Sequence, residues 1–242
     1  MFSGDRWALT GEAGVFIDPF YSPGSDFIAI RNTYICELIR LDFAGKPVAP
    51  YAELFQQLFF SFYENTLTLY QDQYPIFGHP QAMPAKILWD YAYYWSLLAP
   101  LFFSGRLAGL PVLSRLRPHF DEGRQLNLAM QALLRDWGTR DDAPSLAGAR
   151  AYDQYSLEWC RRMNGALTDV LDDDAYVART RVNVAEMRQL AAETFAFVRS
   201  KFADIDDHGL HALLQGHDTA AHAPMLPLEW FETNLEPAQA GA

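Results

Sequence analysis

The sequence predicts a mainly α-helical protein that begins with one short strand, a turn and a helix. Three observations lead there. From Ser25 onward, Phe27, Ile30, Tyr34, Ile35, Leu38 and Ile39 recur at threes and fours, which is one apolar face of a helix. The same period returns along most of the remaining chain. Before Ser25 the pattern differs. The apolar run Trp7-Ala8-Leu9 has the look of the last strand of a sheet, and Gly11-Glu12-Ala13-Gly14 makes a tight turn with an acid at its tip. Asp18-Pro19 and Pro23-Gly24 then break the backbone again.

The later elements follow in order. Asp42-Phe43-Ala44-Gly45-Lys46-Pro47 closes the first helix with Gly then Pro. A second helix is expected from about Pro50 to Gln71, with a stripe of Leu54, Phe55, Leu58, Phe59, Phe62, Tyr63, Leu67 and Tyr70. Pro75, Gly78, Pro80 and Pro84 mark a loop. Ile87 to Phe103 is the most apolar run. It is shorter than a membrane span of about twenty uncharged residues and contains Asp90 and Pro100, so it is expected as a buried core helix rather than a transmembrane segment. Trp89, Tyr93 and Trp95 in that run are candidate walls of a substrate pocket, since aromatic faces suit aromatic or unsaturated ligands. A surface for a partner is the other reading.

Gly105 to Pro118 is expected as a loop or short helix whose Arg106, Arg115 and Arg117 are solvated, or meet a carboxylate or an acidic carrier. Helices are expected over His119–Trp137, Ala147–Val170 and Val184–Phe202, with Asp172, Asp173 and Asp174 complementing a helix dipole. Trp230 and Phe231 should dock on the body, and Glu236–Ala242 should be disordered.

Composition narrows the chemistry. Half of the 242 residues are apolar, enough for a full core in one large or two small domains. The formal net charge is −11 and the basic residues are scattered, which argues against nucleic acid as a partner. Cys36 and Cys160 fall in helical patterns, so no disulfide framework is expected and a cytoplasmic, reducing compartment fits. No signal peptide is visible. His208, His211, His217 and His222 lack an HExxH pattern or paired cysteines, so no metal site is expected. Ser22 has no histidine at a telling spacing, which disfavours hydrolase chemistry.

A carboxylate at the tip of a glycine turn accepts hydrogen bonds from sugar-like hydroxyls, and a helix N-terminus offers unpaired N–H groups with partial positive charge. The stretch from Gly11 to Ala29 combines both. It resembles the second FAD-binding motif of the flavin-dependent halogenases (the tryptophan halogenase family) and related flavoprotein monooxygenases: Gly-Asp-Ala, then Asp-Pro, then Ser-x-Gly and a helix. The resemblance implies FAD as cofactor, touched by Gly11, Glu12, Ala13, Asp18, Pro19, Gly24 and Ser25. Glu12 would meet the ribityl chain, Asp18-Pro19 would lie near the isoalloxazine, and Gly24-Ser25 would face its pyrimidine edge. Three departures touch halogenation more than flavin binding. Glu12 replaces the usual Asp, Tyr21 stands where tryptophan-type halogenases carry a glutamate, and Pro23 removes an N–H that such enzymes can offer to halide.

The Gly-x-Gly-x-x-Gly turn that holds the FAD pyrophosphate is absent from the sequence. In the family the recognised motif lies well past the middle. The expectation is therefore a remnant of an FAD-binding domain, residues 1–47, followed by a helical substrate-type domain, residues 48–242. A truncated gene, a split enzyme completed by a separate FAD-domain polypeptide, and an inactive fragment all fit. Two functions remain. One is part of an FAD-dependent oxidoreductase, monooxygenase or halogenase-like, acting on a small aromatic, unsaturated or carrier-bound substrate. The other is a non-catalytic helical protein that binds a ligand or partner. A lost front half also predicts an exposed sheet edge at Trp7 and self-association.

Overall fold

A computed structural model of the chain describes residues 1–140, 152–216 and 223–232. These form helices α1 (Pro23–Phe43), α2 (Ala49–Leu67), α3 (Ala82–Tyr93), α4 (Ala99–Phe103), α5 (Leu110–Gly138), α6 (Glu158–Gly165), α7 (Asp173–Lys201), α8 (Leu210–Leu213) and α9 (Leu228–Glu232). A mainly α fold is what the apolar period predicted. Long helices α5 and α7 pack along each other, and α3 lies against both. α1 and α2 form a second pair, joined through Phe27 against Phe59, Phe62 and Tyr63, and Tyr34 stacked on Phe55. One core cluster runs from Phe2 to Phe231.

The helix ends follow local chemistry. Pro23 opens α1, where its missing N–H costs nothing. Gly45, with φ +67°, closes it, and Lys46 N–H reaches back to the Leu41 carbonyl at 3.0 Å. Asp172 caps α7 by accepting from Ala175 N–H at 2.8 Å. Asp173 and Asp174 pair with Arg106 and Arg115, and Arg117 pairs with Asp121. The three arginines are thus matched within the chain.

Three expectations need correction. Trp7-Ala8-Leu9 is not a sheet strand: Ala8 makes one isolated antiparallel bridge with Phe2, and no sheet exists among the described residues. A two-sided hairpin of this size has no further strand to pair with, so there is no sheet edge at Trp7. Second, α5 begins at Leu110 and runs through Pro118 rather than starting after it. Pro118 and Ser114 both face solvent, which meets the carbonyl that proline leaves unpaired. Third, the helix expected over Ala147–Val170 is limited in the described part to α6 between two short 3-10 turns. α7 begins at Asp173 with Asp172 as its cap, so the three acids stand at a helix N-terminus as expected, and the helix continues through Val184 to Lys201. His217, His222 and Glu236–Ala242 lie outside the described residues.

The apolar run is one long helical rod with a defect. Between α3 and α4, Tyr94–Leu98 form a π turn. Pro100 cannot donate to the Ser96 carbonyl, and Asn183 of α7 supplies the missing donor at 3.2 Å. Such turns are frequent at functional sites because they rotate the side chains that follow. Among the described residues, no helix is long and apolar enough to cross a membrane.

Candidate functional site

The loop before α1 is tied down by tyrosines. Tyr63, Tyr70 and Tyr74 donate their hydroxyls to the Phe16 carbonyl, the Phe20 carbonyl and the Asp18 carboxylate. Asp18 also accepts from Phe20 N–H at 2.8 Å. The Tyr74 hydroxyl, then this N–H, hold the Asp18 carboxyl below its usual range. So anchored, Tyr21 and Ser22 both sit at positive φ, +66° and +56°. Each costs about 1–2 kcal/mol for a residue with a Cβ. Strain of this kind persists where the surroundings over-determine it, often beside a binding site.

A cavity of about 410 Å³ opens at this turn. One side is the start of α1: Ser22, Pro23, Ser25, Asp26 and Phe27. The other is the rod, through Asp90, Tyr91, Tyr94 and Trp95, with Tyr91 and Trp95 stacked at 4.8 Å and nearly parallel. Phe62, Thr66, Leu69 and Tyr70 complete it. Tyr94 OH donates to one oxygen of Asp26 at 2.8 Å, and the other has no partner among the described residues. Burial raises the Asp26 carboxyl, against the pull of that hydroxyl.

Behind the cavity lies a buried polar network. Tyr21 OH donates to Asp90 at 3.0 Å. Lys86 Nζ, with no exposed surface, lies 2.7 Å from Asp90 and 2.9 Å from Gln131 Oε1. Gln131 Nε2 returns to the other Asp90 oxygen at 2.7 Å. Asn127 accepts from Trp89 Nε1 and donates to Thr68. Burial raises the Tyr21 phenol far above its ordinary value, and the Asp90 charge adds to it.

The site residues expected from sequence fall into three groups. Gly11, Glu12 and Ala13 form a 3-10 turn, with Gly11 at φ +62° and Glu12 exposed and without a partner among the described residues. Gly24 and Ser25 lie exposed at the start of α1, and a Cβ added to Gly24 would meet nothing within 4 Å. Asp18 is engaged within the loop, and Pro19 is exposed beside it. Of the aromatic candidates, Trp95 lines the cavity, whereas Trp89 and Tyr93 do not. Both are buried, Trp89 on Asn127. Trp89 and Tyr93, four apart, share the inward face; Tyr91, Tyr94 and Trp95, at three and four, share the cavity face. The sequence reading missed Tyr91, Tyr94, Asp26 and the Lys86–Asp90 pair. The visible signal was an i, i+4 ion pair at the start of the most apolar run.

A second cavity, about 640 Å³, lies on the other side of Trp95, and Arg162, Arg179 and Arg181 line it. Arg162 pairs with Glu186 and Arg179 with Asp169. No group of acids, histidines and cysteines among the described residues is arranged to hold a metal.

Comparison with known proteins adds one observation. Over 132 residues the chain is 26% identical to the flavin-dependent halogenase chlA of Dictyostelium discoideum, which covers 54% of this chain. The relationship is halogenase-like. The halogenase-like match spans 21% of that relative, about a fifth of its length. No family model matches the chain, and no solved structure does.

Among the described residues, Arg31 lies near the motif as a buried charge without an acid. Its side chain has no exposed surface, and Nε and Nη2 have no hydrogen-bond partner. It donates to the Leu9 carbonyl at 3.2 Å and lies 4.0 Å over the Phe59 ring. A Cβ at Gly14 would fall 1.4 Å from its Nη1, so a larger residue there would need the guanidinium to move. Desolvating an unpaired guanidinium outweighs one neutral hydrogen bond and one ring face. Arg31→Met is therefore expected to stabilise the fold by about 1 kcal/mol in urea titration, the low end for buried-ion replacement because the bond to Leu9 and the Phe59 ring face are lost with the charge. A lowered midpoint would show that Phe59 and Leu9 outweigh desolvation.

Proposed function

We propose that this chain supplies the substrate-binding part, and one wall of the flavin site, of an FAD-dependent oxidoreductase of the monooxygenase or halogenase-like kind. The observation that carries the reading is the position of the aromatic cavity directly at the start of α1, the place where the recognised motif turns into a helix. The flavin-dependent name of the relative supports the same cofactor.

The residues present fit one end of FAD. Glu12 is free to accept hydrogen bonds from ribityl hydroxyls. The first turn of α1 has unpaired N–H groups, open space at Gly24 and partial positive charge for the pyrimidine edge. Asp18 fits less well as a direct ligand, because Tyr74 and Phe20 N–H hold it; its role is to shape the loop. The pyrophosphate anchor belongs to a nucleotide-binding half, on a separate polypeptide in this proposal, with residues 1–47 as the end of that FAD-binding domain.

When bound, reduced flavin supplies the reaction with oxygen. The chain's own residues position the substrate. The Tyr91–Trp95 stack forms one wall for an aromatic or unsaturated ring, Phe27 and Phe62 exclude water, and Asp26 with Tyr94 orients a polar end. The proposal is for flavin chemistry rather than halide use. Pro23 has no N–H to donate, and the Tyr21 hydroxyl is committed to Asp90. A cytoplasmic setting belongs to the same proposal, with Cys36 and Cys160 as free thiols.

The test is flavin uptake. The purified chain, mixed with a nucleotide-binding half, is expected to retain FAD through gel filtration. Glu12→Ala or Gly24→Val should weaken retention about tenfold, equal to 1.4 kcal/mol. A chain that stays colourless under every pairing overturns the reading. The cavity is formed wholly by this chain, which favours a non-catalytic ligand-binding protein as the second reading. In that case ligand binds and flavin never does.

A further inference from the structure

The two cavities that share Trp95 have opposite charge. Three arginines line the larger one, while the residues around the smaller one include no lysine, arginine or histidine. Its charged lining groups are Asp26 and Asp90. These two carboxylates are not equivalent. Asp90 is saturated by Lys86, Gln131 and Tyr21, with one oxygen accepting from Gln131 and the other from Lys86 and Tyr21. Among the described residues, Asp26 accepts from Tyr94 alone and keeps one oxygen without a partner.

The cavity that Asp26 lines has largely aromatic walls: Tyr21, Tyr70, Tyr91, Tyr94, Trp95 and Phe27. Ring faces carry negative potential and attract a cation within about 6 Å, most strongly where it is desolvated. A half-buried carboxylate beside them needs a positive partner or a donor. A carboxylate ligand would meet repulsion here and no counter-charge. A neutral ring would fill the apolar part and leave Asp26 unsatisfied. The cavity volume suits one small ring with a short side chain.

We infer that the cavity selects an aromatic amine in its protonated form, with the ammonium on the free oxygen of Asp26 and the ring against the Tyr91–Trp95 stack. The inference names the substrate class for the proposed function and rests on that reading of the cavity. The net charge of −11 adds a long-range attraction for cations.

The probes are phenethylamine, 2-phenylethanol and 3-phenylpropanoate, which share a ring and differ in charge. Binding to the purified chain without flavin is followed by calorimetry, and by Trp fluorescence with Trp95→Phe as the control for signal from the cavity. Phenethylamine should bind at least tenfold more tightly than the alcohol, and the propanoate should not bind. Asp26→Asn should bring amine and alcohol to within about threefold. Ser25→Lys, at an exposed position on the cavity rim, places a cation beside Asp26. It should abolish the amine preference even if the Asp26 variant misfolds. Equal binding of amine and alcohol, a preference that survives both substitutions, or no binding of any probe overturns the inference. Because no flavin is present, amine binding without FAD uptake refutes only the proposed function. FAD uptake without an amine preference refutes only this inference.

Discussion

Lys86→Met is expected to destabilise the fold by about 3–5 kcal/mol, the usual cost of removing one partner from a fully buried ion pair. The ammonium it deletes has no exposed surface and makes bonds of 2.7 and 2.9 Å to Asp90 and Gln131. Without it, Asp90 remains buried at 2% exposure, with only Gln131 and Tyr21 to offset its charge. The double variant Lys86→Met, Asp90→Leu removes both charges and should recover most of the loss. What remains reflects Tyr21 and Gln131 left without an acceptor. A double-mutant cycle in urea checks this, and a double variant as unstable as the single one refutes it.

The same pair predicts a pH dependence. Burial, the largest influence, raises the Asp90 carboxyl, while Lys86, Gln131 and Tyr21 pull it back. A carboxyl raised in the fold holds its proton more tightly than in the unfolded chain. Protonation at this site therefore favours the fold fully below the unfolded value, and the benefit is lost as pH rises through the folded one. Removing Lys86 raises the carboxyl further, so the deficit of Lys86→Met should shrink in acid and grow toward neutral pH. A deficit independent of pH would show that Asp90 is not the group that loses its partner.

Trp137→Ala is the second large effect, expected at about 3–5 kcal/mol. Trp137 is 1% exposed near the end of α5 and meets His79, Phe197 of α7 and Phe231 of α9, with centroids 5.8 to 6.3 Å apart. Three elements lose their shared contact, and the surrounding rings cannot collapse into the space of an indole. Trp137 lines neither cavity described above, so amine binding at temperatures well below melting should persist. A variant with wild-type stability would mean that α9 does not pack there as described.

The helical period made the architecture legible. Phe27, Ile30, Tyr34 and Leu38 repeat at threes and fours and are all buried on α1. Local signals also served where the decision is local: Pro23 at the start of α1, Gly45 at its end and Asp172 capping α7. They failed where distant residues intervene. Pro118 looked like a helix boundary, yet α5 continues through it because that side faces solvent. The Trp7 run looked like the strand of a sheet, but among the described residues it makes only one isolated bridge, to Phe2.

The site divides in the same way. The stretch from Gly11 to Ser25 announces a turn and a helix N-terminus in its own residues, because turns and caps depend on neighbours along the chain. Which aromatic residues face the cavity depends on the rotation of the rod from α3 to α4. That rotation is set by packing on α5 and α7 and by Asn183, which completes the π turn that Pro100 opens. The pairing of Lys86 with Asp90 was visible as a spacing of four. Its burial, and the spare oxygen on Asp26, arise from segments far apart in the chain meeting in space. Periodicity records which side of a helix is apolar, but only packing settles what that side touches.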